Sequence, residues 1–249
     1  MTLWVRRIIV LNIAVFVMTS LVPGLVEWLA LLPAAAAVRP WTPITYMFVH
    51  AGIAHIFFNM LVLFFFGPKL EVFLGGRRFL SLYFASGLAG AALSFVTPMV
   101  PIVGASGAIN GVLLAYAMTW PRDRFYIWGI LPLEAWFAVT VFAGLDVLGA
   151  LGVVQPGIAH FAHLGGLAGG FLYLQWDRRR RAAAPRPRVV VRPSGGNQAD
   201  LARWERIQPE TLHPVNREEL ERVLAKIAAT GVGSLSPDER AFLDRFSDR

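Results

Sequence analysis

The sequence predicts an all-α membrane protein, with a bundle of six transmembrane helices followed by a short cytoplasmic helical hairpin. The first reason is composition: 56% of the 249 residues are hydrophobic and 16% are charged, whereas in soluble domains roughly a quarter of all residues are charged. The second reason is that six apolar stretches approach the ~20 residues that cross a bilayer. The third is that Lys and Arg are concentrated in alternate connections between these stretches.

The six predicted spans together make a membrane domain of residues 1–177. They cover about residues 8–30, 50–67, 79–97, 104–120, 125–149 and 157–176. The first span follows Arg6 and Arg7, as the apolar part of a signal peptide does, but the many later spans indicate an ordinary first helix.

The basic residues predict the orientation of the spans. One side of the membrane receives Arg6, Arg7, Lys69, Arg77, Arg78, Arg122, Arg124 and a cluster that begins at Arg178, and the other side receives only Arg39. Cytoplasmic loops carry the excess of Lys and Arg, so we expect both termini in the cytoplasm and an even number of spans. The sequence therefore predicts a multi-pass protein of the cell (inner) membrane.

Much of the net charge of +7 lies directly after the last span. Arginines in that position suit the anionic surface of the lipid bilayer, so we expect no nucleic-acid partner. The chain has no cysteine, which excludes disulfides and thiolate nucleophiles.

Residues 178–200 form a basic, Pro/Gly-rich segment that predicts a flexible linker, and residues 201–249 form a cytoplasmic helical tail. Within the tail, residues 218–229 have apolar side chains at helical spacing. A second helix begins with Ser236 as N-cap, Pro237 at the first position and Glu239 completing a capping box. We expect this pair of helices to bind a partner that the sequence does not identify.

Polar residues within the spans are candidates for function because they are costly in hydrocarbon. They are His55, Asn59, Ser106, Asn110, Glu134, Asp146, His160 and His163. His55 lies about five residues, or roughly 8 Å, into its helix. Ser106 lies in the first turn of the fourth span and His163 about six residues into the sixth. These three helices all enter from the outer face, so the sequence predicts one polar layer that opens toward that face.

Ser106 lies in the segment Gly104-Ala105-Ser106-Gly107 at the start of a helix. Unpaired backbone N–H groups and the positive end of the helix dipole at such a position favour an oxyanion. A plain N-cap serine in a Gly-rich turn is the other interpretation.

His163 is the candidate general base, because imidazole titrates near neutrality. Gly166 and Gly170 form a GxxxG pattern that allows close packing, and the fourth span is the neighbour that would bring the histidine to the serine. His160 is a competing base, and an interhelical hydrogen bond is the structural alternative. His55 and Asn59, spaced i,i+4, share a face; they are either oxyanion donors or groups that hold helices together.

The order HxxxN, GxSG and AHxxG on alternate helices resembles the rhomboid family of intramembrane serine proteases over about residues 40–176. The resemblance implies a six-helix rhomboid bundle in which Ser106 is the nucleophile and His163 the base, a dyad without a carboxylate. It implies that His55 and Asn59 serve the oxyanion hole, that Gly104 and Gly107 support the serine, and that no metal or other cofactor takes part.

Other positions follow or depart from the family pattern. Residues 41–50 are similar to the end of the family's first external loop, although Trp41-Thr42 replaces the frequent Trp-Arg, and His50 matches a structural histidine. Many members carry an aromatic residue four positions after the serine that packs on the catalytic histidine. Asn110 occupies that place here and offers a hydrogen bond to His163 instead.

The resemblance implies an endopeptidase that cleaves transmembrane or juxtamembrane segments of membrane proteins through an acyl-enzyme. Two alternatives stay open, namely an inactive relative that acts as a membrane scaffold or chaperone and a transporter with a proton path through Asp146 and the histidines.

Other classes of membrane protease and a metal site are disfavoured. The sequence has no HExxH motif, which a zinc protease would need. Glu134 and Asp146 are about three turns apart, which is too far for an aspartyl dyad. A metal site formed by the four membrane histidines is disfavoured because His50 and His55 diverge around their helix.

Overall fold

The structure is a computed structural model that describes residues 1–127, 131–153, 159–183 and 197–247. The chain divides after Ala184 into two compact units. Each unit has its own cluster of buried apolar side chains, and each is described separately below.

The first unit is built from α-helices and one β-hairpin. The helices are α1 (Leu3–Leu21), α2 (Leu25–Leu29), α3 (Thr42–Thr45), α4 (Ile53–Leu74), α5 (Gly76–Leu93), α6 (Ser106–Thr119), α7 (Ala135–Ala150) and α8 (His160–Ala183). The hairpin pairs β1 (Arg124–Ile127) with β2 (Leu131–Glu134) in antiparallel register.

Three helical segments within the described residues are long and apolar enough to cross a membrane: Leu3–Leu21, Ile53–Leu74 and Gly76–Val96. Helix α7 is apolar but has only 16 residues. Helix α6 has 14 residues, which at ~1.5 Å per residue is shorter than the hydrocarbon core of a bilayer. The count of six spans therefore stays a prediction.

The predicted span 125–149 is wrong at its start, because the described residues from 124 to 134 form the hairpin instead of a helix. A helix over this segment would enclose Pro132, which has no N–H to donate and clashes with the preceding turn. Phe125 and Tyr126 favour a strand. An ion pair of 3.4 Å between Arg124 and Glu134 joins the open ends of the two strands, and α7 begins directly afterwards.

The ends of other predicted spans also differ. The predicted first span, 8–30, is wrong in its bounds, because α1 covers Leu3–Leu21; Pro23 and Gly24 follow, and Gly24 has a positive φ of 80°. Helix α4 continues seven residues beyond the predicted end at 67. Its last turns bring the carboxylate of Glu71 to the start of α1, where it accepts hydrogen bonds from the backbone N–H groups of Trp4 and Val5.

Helix α8 is the centre of the first unit and packs between α5 and α6. The space around the glycines shows how close the contact is. A Cβ atom placed on Gly170 would lie 2.7 Å from Cα of Gly111, and a Cβ atom on Gly166 would overlap the carbonyl of Gly107. The predicted close packing of the sixth span on the fourth is thus confirmed. On its other side, a Cβ on Gly165 would lie 2.8 Å from Cα of Gly90 in α5.

The second unit contains α9 (Asn197–Trp204), α10 (Pro214–Thr230) and α11 (Pro237–Ser247). Its core is formed by Trp204, Ile207, Leu220, Val223, Val232, Leu235 and Leu243. The predicted capping box is confirmed, since Ser236 N–H donates to Glu239 and Glu239 N–H donates to the Ser236 hydroxyl. Both predicted tail helices are present, and α9 was not predicted.

The predicted linker 178–200 is wrong at both ends, because residues 178–183 continue α8 and residues 197–200 belong to α9. Helix α8 continues because arginines are good helix formers and because Asp177 accepts two hydrogen bonds from Arg78 of α5, at 3.1 and 2.6 Å. Residues 184–196, and the start of the predicted last span at 157, lie outside the described residues.

Candidate functional site

The Ser106 hydroxyl and the His163 ring are in direct contact. Ser106 Oγ lies 2.7 Å from His163 Nε2, although the two residues are 57 positions apart. Ser106 opens α6 and His163 lies in the first turn of α8. The contact exists because the glycines of α6 and α8 allow the two backbones to approach, with Gly107 and Gly166 facing each other.

The two residues share a cavity of about 750 Å³ with the other predicted polar groups. Its lining includes His55 and Asn59 from α4, and His160 from α8. The N-terminal ends of α4, α6 and α8 and the C-terminal end of α7 meet here. The structure therefore brings together at one level the groups that the sequence assigned to one layer.

His55 and Asn59 lie beside the serine on the α4 side of the cavity. A Cβ on Gly104 would lie 2.7 Å from His55 Nε2 and 3.6 Å from Ser106 Oγ, so only that glycine separates the two side chains. The Nδ1 atom of His55 accepts a hydrogen bond of 3.4 Å from the N–H of Ala51. Asn59 is buried, and its amide nitrogen donates to the His55 carbonyl at 2.8 Å. This bond engages one amide hydrogen and leaves a second for another acceptor.

Gly104 and Gly107 make room for these contacts. Gly104 has a φ of 120°, a conformation that favours glycine, and its N–H donates to the Tyr46 carbonyl at 2.9 Å. A Cβ on Gly107 would lie 3.0 Å from the carbonyl oxygen of Ala162, the residue before His163. Each glycine thus lets a second polar residue approach Ser106.

The carboxylate of Asp146 contacts the ring nitrogen of His163 that does not contact the serine. Asp146 Oδ1 lies 2.9 Å from Nδ1 of His163 and 2.9 Å from Nδ1 of His160. Asp146 and His160 are each 7% exposed. The dyad without a carboxylate, which the resemblance implied, is therefore incomplete as a description of this chain. The available signal was an acidic residue in an otherwise apolar helix.

The remaining sequence candidates take other positions. No hydrogen bond joins Asn110 to His163 within the described residues, and both ring nitrogens of His163 are engaged elsewhere; the predicted Asn110–His163 hydrogen bond is wrong. His50 is buried, and its ring meets that of His55 edge-on, with centroids 5.0 Å apart. The predicted divergence of these two histidines is wrong, because α4 begins at Ile53 and His50 precedes it. Glu134 lies at the other end of α7, where it accepts a hydrogen bond from Trp136.

Asp146, His160 and His163 are all potential metal ligands, and their ligand atoms lie within 4.8 Å of one another. The hydrogen bonds from the two rings to one carboxylate oxygen account for this spacing. What the arrangement offers chemically is a hydroxyl in contact with an imidazole whose opposite nitrogen contacts a carboxylate, next to backbone and side-chain donors.

The comparison with known proteins agrees with these motifs. A Rhomboid domain model matches residues 37–180. Rhomboid protease GluP of Bacillus subtilis is 36% identical over 133 residues, which cover 53% of this chain and 25% of GluP. RHOMBOID-like protein 4 of Arabidopsis thaliana is 37% identical over 133 residues, 53% of this chain and 32% of that protein. Rhomboid protein 1, mitochondrial, of Saccharomyces cerevisiae is 32% identical over 152 residues, 55% and 44% of the two chains.

The chain thus spans less than half the length of each of these three relatives. The matched segment contains the cavity and every residue that lines it, from Ala51 to His163. Because the domain model covers more than half of the sequence, the chain belongs to the rhomboid family.

Proposed function

We propose that this protein is an intramembrane serine endopeptidase that cleaves transmembrane or juxtamembrane segments of other membrane proteins. The observation that carries the proposal is the 2.7 Å contact between Ser106 Oγ and His163 Nε2 within a cavity of a rhomboid-family chain. The protease name of GluP supports the same activity.

In the proposed reaction, His163 Nε2 removes the hydroxyl proton as Ser106 Oγ attacks a peptide carbonyl carbon. The tetrahedral oxyanion is stabilised by the N–H groups at the start of α6 and by His55 and Asn59. The C–N bond then breaks, and His163 gives its proton to the leaving amine. Water, activated by the same histidine, attacks the ester and releases the second product with Ser106 restored.

The substrate we propose is a protein helix in the lipid bilayer, and no nucleic acid or cofactor takes part. The described basic residues support a location in the inner membrane with the cavity toward the outer face. Lys69 pairs with Asp123 and Arg78 pairs with Asp177 at the ends of the helices opposite the cavity. By the positive-inside rule this end is cytoplasmic. The tail unit would then bind its unidentified partner in the cytoplasm.

The test uses the full chain in detergent, a fluorophosphonate probe and a model transmembrane substrate. We expect the probe to label the wild-type protein on Ser106 and the substrate to be cut. Ser106→Ala should abolish both, and His163→Ala should lower both by at least about 10³-fold, because the base and the nucleophile act as a unit. Ser81→Ala, an exposed serine on α5, is the matched control and should behave as wild type.

A protein that folds but neither labels nor cleaves would refute the proposal and favour the membrane scaffold. Substrate-dependent proton flux that survives Ser106→Ala would favour the transporter. Asp146, His160 and His163 lie in one cluster, whereas a proton path needs groups at successive depths.

A further inference from the structure

Asp146 is the buried acidic group that the family mechanism leaves without a role. It lies near the C-terminal end of α7, and the two histidines that contact it lie three residues apart at the start of α8, on one face of that helix. One oxygen, Oδ1, receives both contacts at 2.9 Å. A buried carboxylate is costly unless it is hydrogen-bonded, so a carboxylate placed against a reacting histidine needs an explanation.

An ionised Asp146 would fix the tautomer of both rings. Because an ionised carboxylate only accepts hydrogen bonds, the Nδ1 atoms of His160 and His163 would then both carry hydrogens. A neutral His163 then has its lone pair on Nε2, the atom that lies 2.7 Å from Ser106 Oγ. This is the tautomer that can accept the serine proton. With the hydrogen on Nε2, the ring would donate to Ser106 and could not act as base.

The electrostatic attraction between Asp146 and His163 becomes stronger during the reaction. When His163 accepts the serine proton it becomes an imidazolium cation, and its Nδ1–H then points at an anion 2.9 Å away. The attraction is stronger in this buried cluster than it would be in water. Asp146 therefore stabilises the charged state of His163 more than the resting state, and only such differential stabilisation accelerates a reaction.

His160 contacts the same carboxylate oxygen as His163. The ring of His160 lies against Gly149, one turn after Asp146 in α7, where any side chain would overlap the ring. Its Nδ1 contact fixes the direction of Oδ1. Helix α7 is thus shaped to admit His160 next to the carboxylate, which orients the oxygen that His163 also contacts.

We propose that Asp146 is a positioning residue that sets the tautomer and ring orientation of His163, and that His160 orients Asp146. The inference rests on the proposed function. It adds a carboxylate to the serine–histidine pair. The serine contacts the histidine and the histidine contacts the carboxylate, as in the triads of soluble serine hydrolases.

The test compares Asp146→Asn, Asp146→Glu and His160→Gln in the full chain, with cleavage kinetics and with the rate of fluorophosphonate labelling. Asn keeps the shape of Asp but offers either hydrogens or an oxygen to His163, so the wrong tautomer becomes populated. We expect Asp146→Asn to lower kcat by about 10²-fold or more, with KM changed less than about threefold. Asp146→Glu should recover part of that loss, and His160→Gln should lose less than Asp146→Asn.

A structural readout separates positioning from mere helix packing. The Nδ1–H proton of His163 beside a carboxylate should give a downfield proton resonance in the wild-type protein, and Asp146→Asn should remove it while circular dichroism is unchanged. Thr140→Ala removes a polar group from an exposed position of α7 and should leave kcat and the resonance unchanged. It is the matched control.

The outcomes are distinguishable. Wild-type kcat in a folded Asp146→Asn protein would overturn this inference and leave the proposed function intact. A wild-type protein that never labels or cleaves would refute the proposed function itself. Loss of wild-type cleavage on adding a chelator would also overturn the inference, because the three groups would then act as ligands of a metal ion.

Discussion

Gly107 tests whether close helix packing sets the geometry of the site. A Cβ at this position would lie 3.0 Å from the carbonyl oxygen of Ala162, so Gly107→Ala requires α8 to move by a few tenths of an ångström. Ala162 directly precedes His163, and the movement is directed away from α6. The Ser106–His163 contact, now 2.7 Å, would lengthen toward about 3 Å, the outer edge of a good hydroxyl hydrogen bond.

The expected magnitudes differ for stability and activity. Alanine gains about 0.5–1 kcal/mol over glycine within a helix, and overpacking costs roughly 1–3 kcal/mol. The net loss of unfolding free energy should therefore be about 1 kcal/mol. A displacement of about 1 Å at a reacting pair costs up to roughly 10²-fold in rate, so a smaller shift should lower kcat/KM by about three- to tenfold.

The assay measures kcat/KM on a transmembrane substrate together with thermal unfolding in the same detergent. Gly144→Ala is the matched control, because an added Cβ on that α7 glycine meets no atom within 4 Å. It should keep full activity and be as stable as wild type or more so. Full activity of Gly107→Ala, with the expected loss of stability, would refute the idea that this contact positions His163.

Two further predictions concern the donors and the tail. Asn59→Ala should lower kcat by roughly 10²-fold with little change in KM, because one oxyanion donor is typically worth that much; an unchanged kcat would remove Asn59 from the oxyanion hole. In the tail, hydrogen bonds from Lys226 and the Ser236 N–H lower the pKa of Glu239 to about 2. Since the pKa is lower in the folded state, this contribution is present above about pH 4.5 and disappears as pH falls toward 2. Hydrogen exchange of α11 in the full chain should become faster over that range, and Glu239→Gln should weaken the dependence.

The part of the site carried by α4, α6 and α8 was predictable because each residue sits in a local pattern. The i,i+4 spacing of His55 and Asn59 places both on one face of a helix. The glycines around Ser106 and after His163 indicate close helix packing, even though the sequence does not show which helix is the neighbour. Small residues at matching positions of two helices indicate that these helices pack against each other, whereas large apolar residues suit many different neighbours.

The pairing of β1 with β2 and the contact of Asp146 were harder to predict for different reasons. Phe125, Tyr126, Ile127, Leu131 and Leu133 are as apolar as a membrane span, so composition does not distinguish the two structures, and Pro132 is the local signal against a helix. The partner of Asp146 depends on how α7 is rotated about its axis relative to α8. Seven of the 16 residues of α7 are large exposed apolar side chains, so lipid contact alone does not select one rotation of the helix.

Helix α7 explains why Asn, and not Ala, is the informative substitution at position 146. Near its N-terminal end α7 buries Ala135 and Ala138, and near its C-terminal end it buries Asp146. The carboxylate is therefore both the contact that orients His163 and a principal attachment of this end of the helix. Asp146→Ala would remove both at once, leaving two histidines without their acceptor. Asp146→Asn keeps the shape of the side chain, but it removes the negative charge and changes which hydrogen His163 carries, so a selective fall in kcat can be assigned to the Asp146–His163 contact.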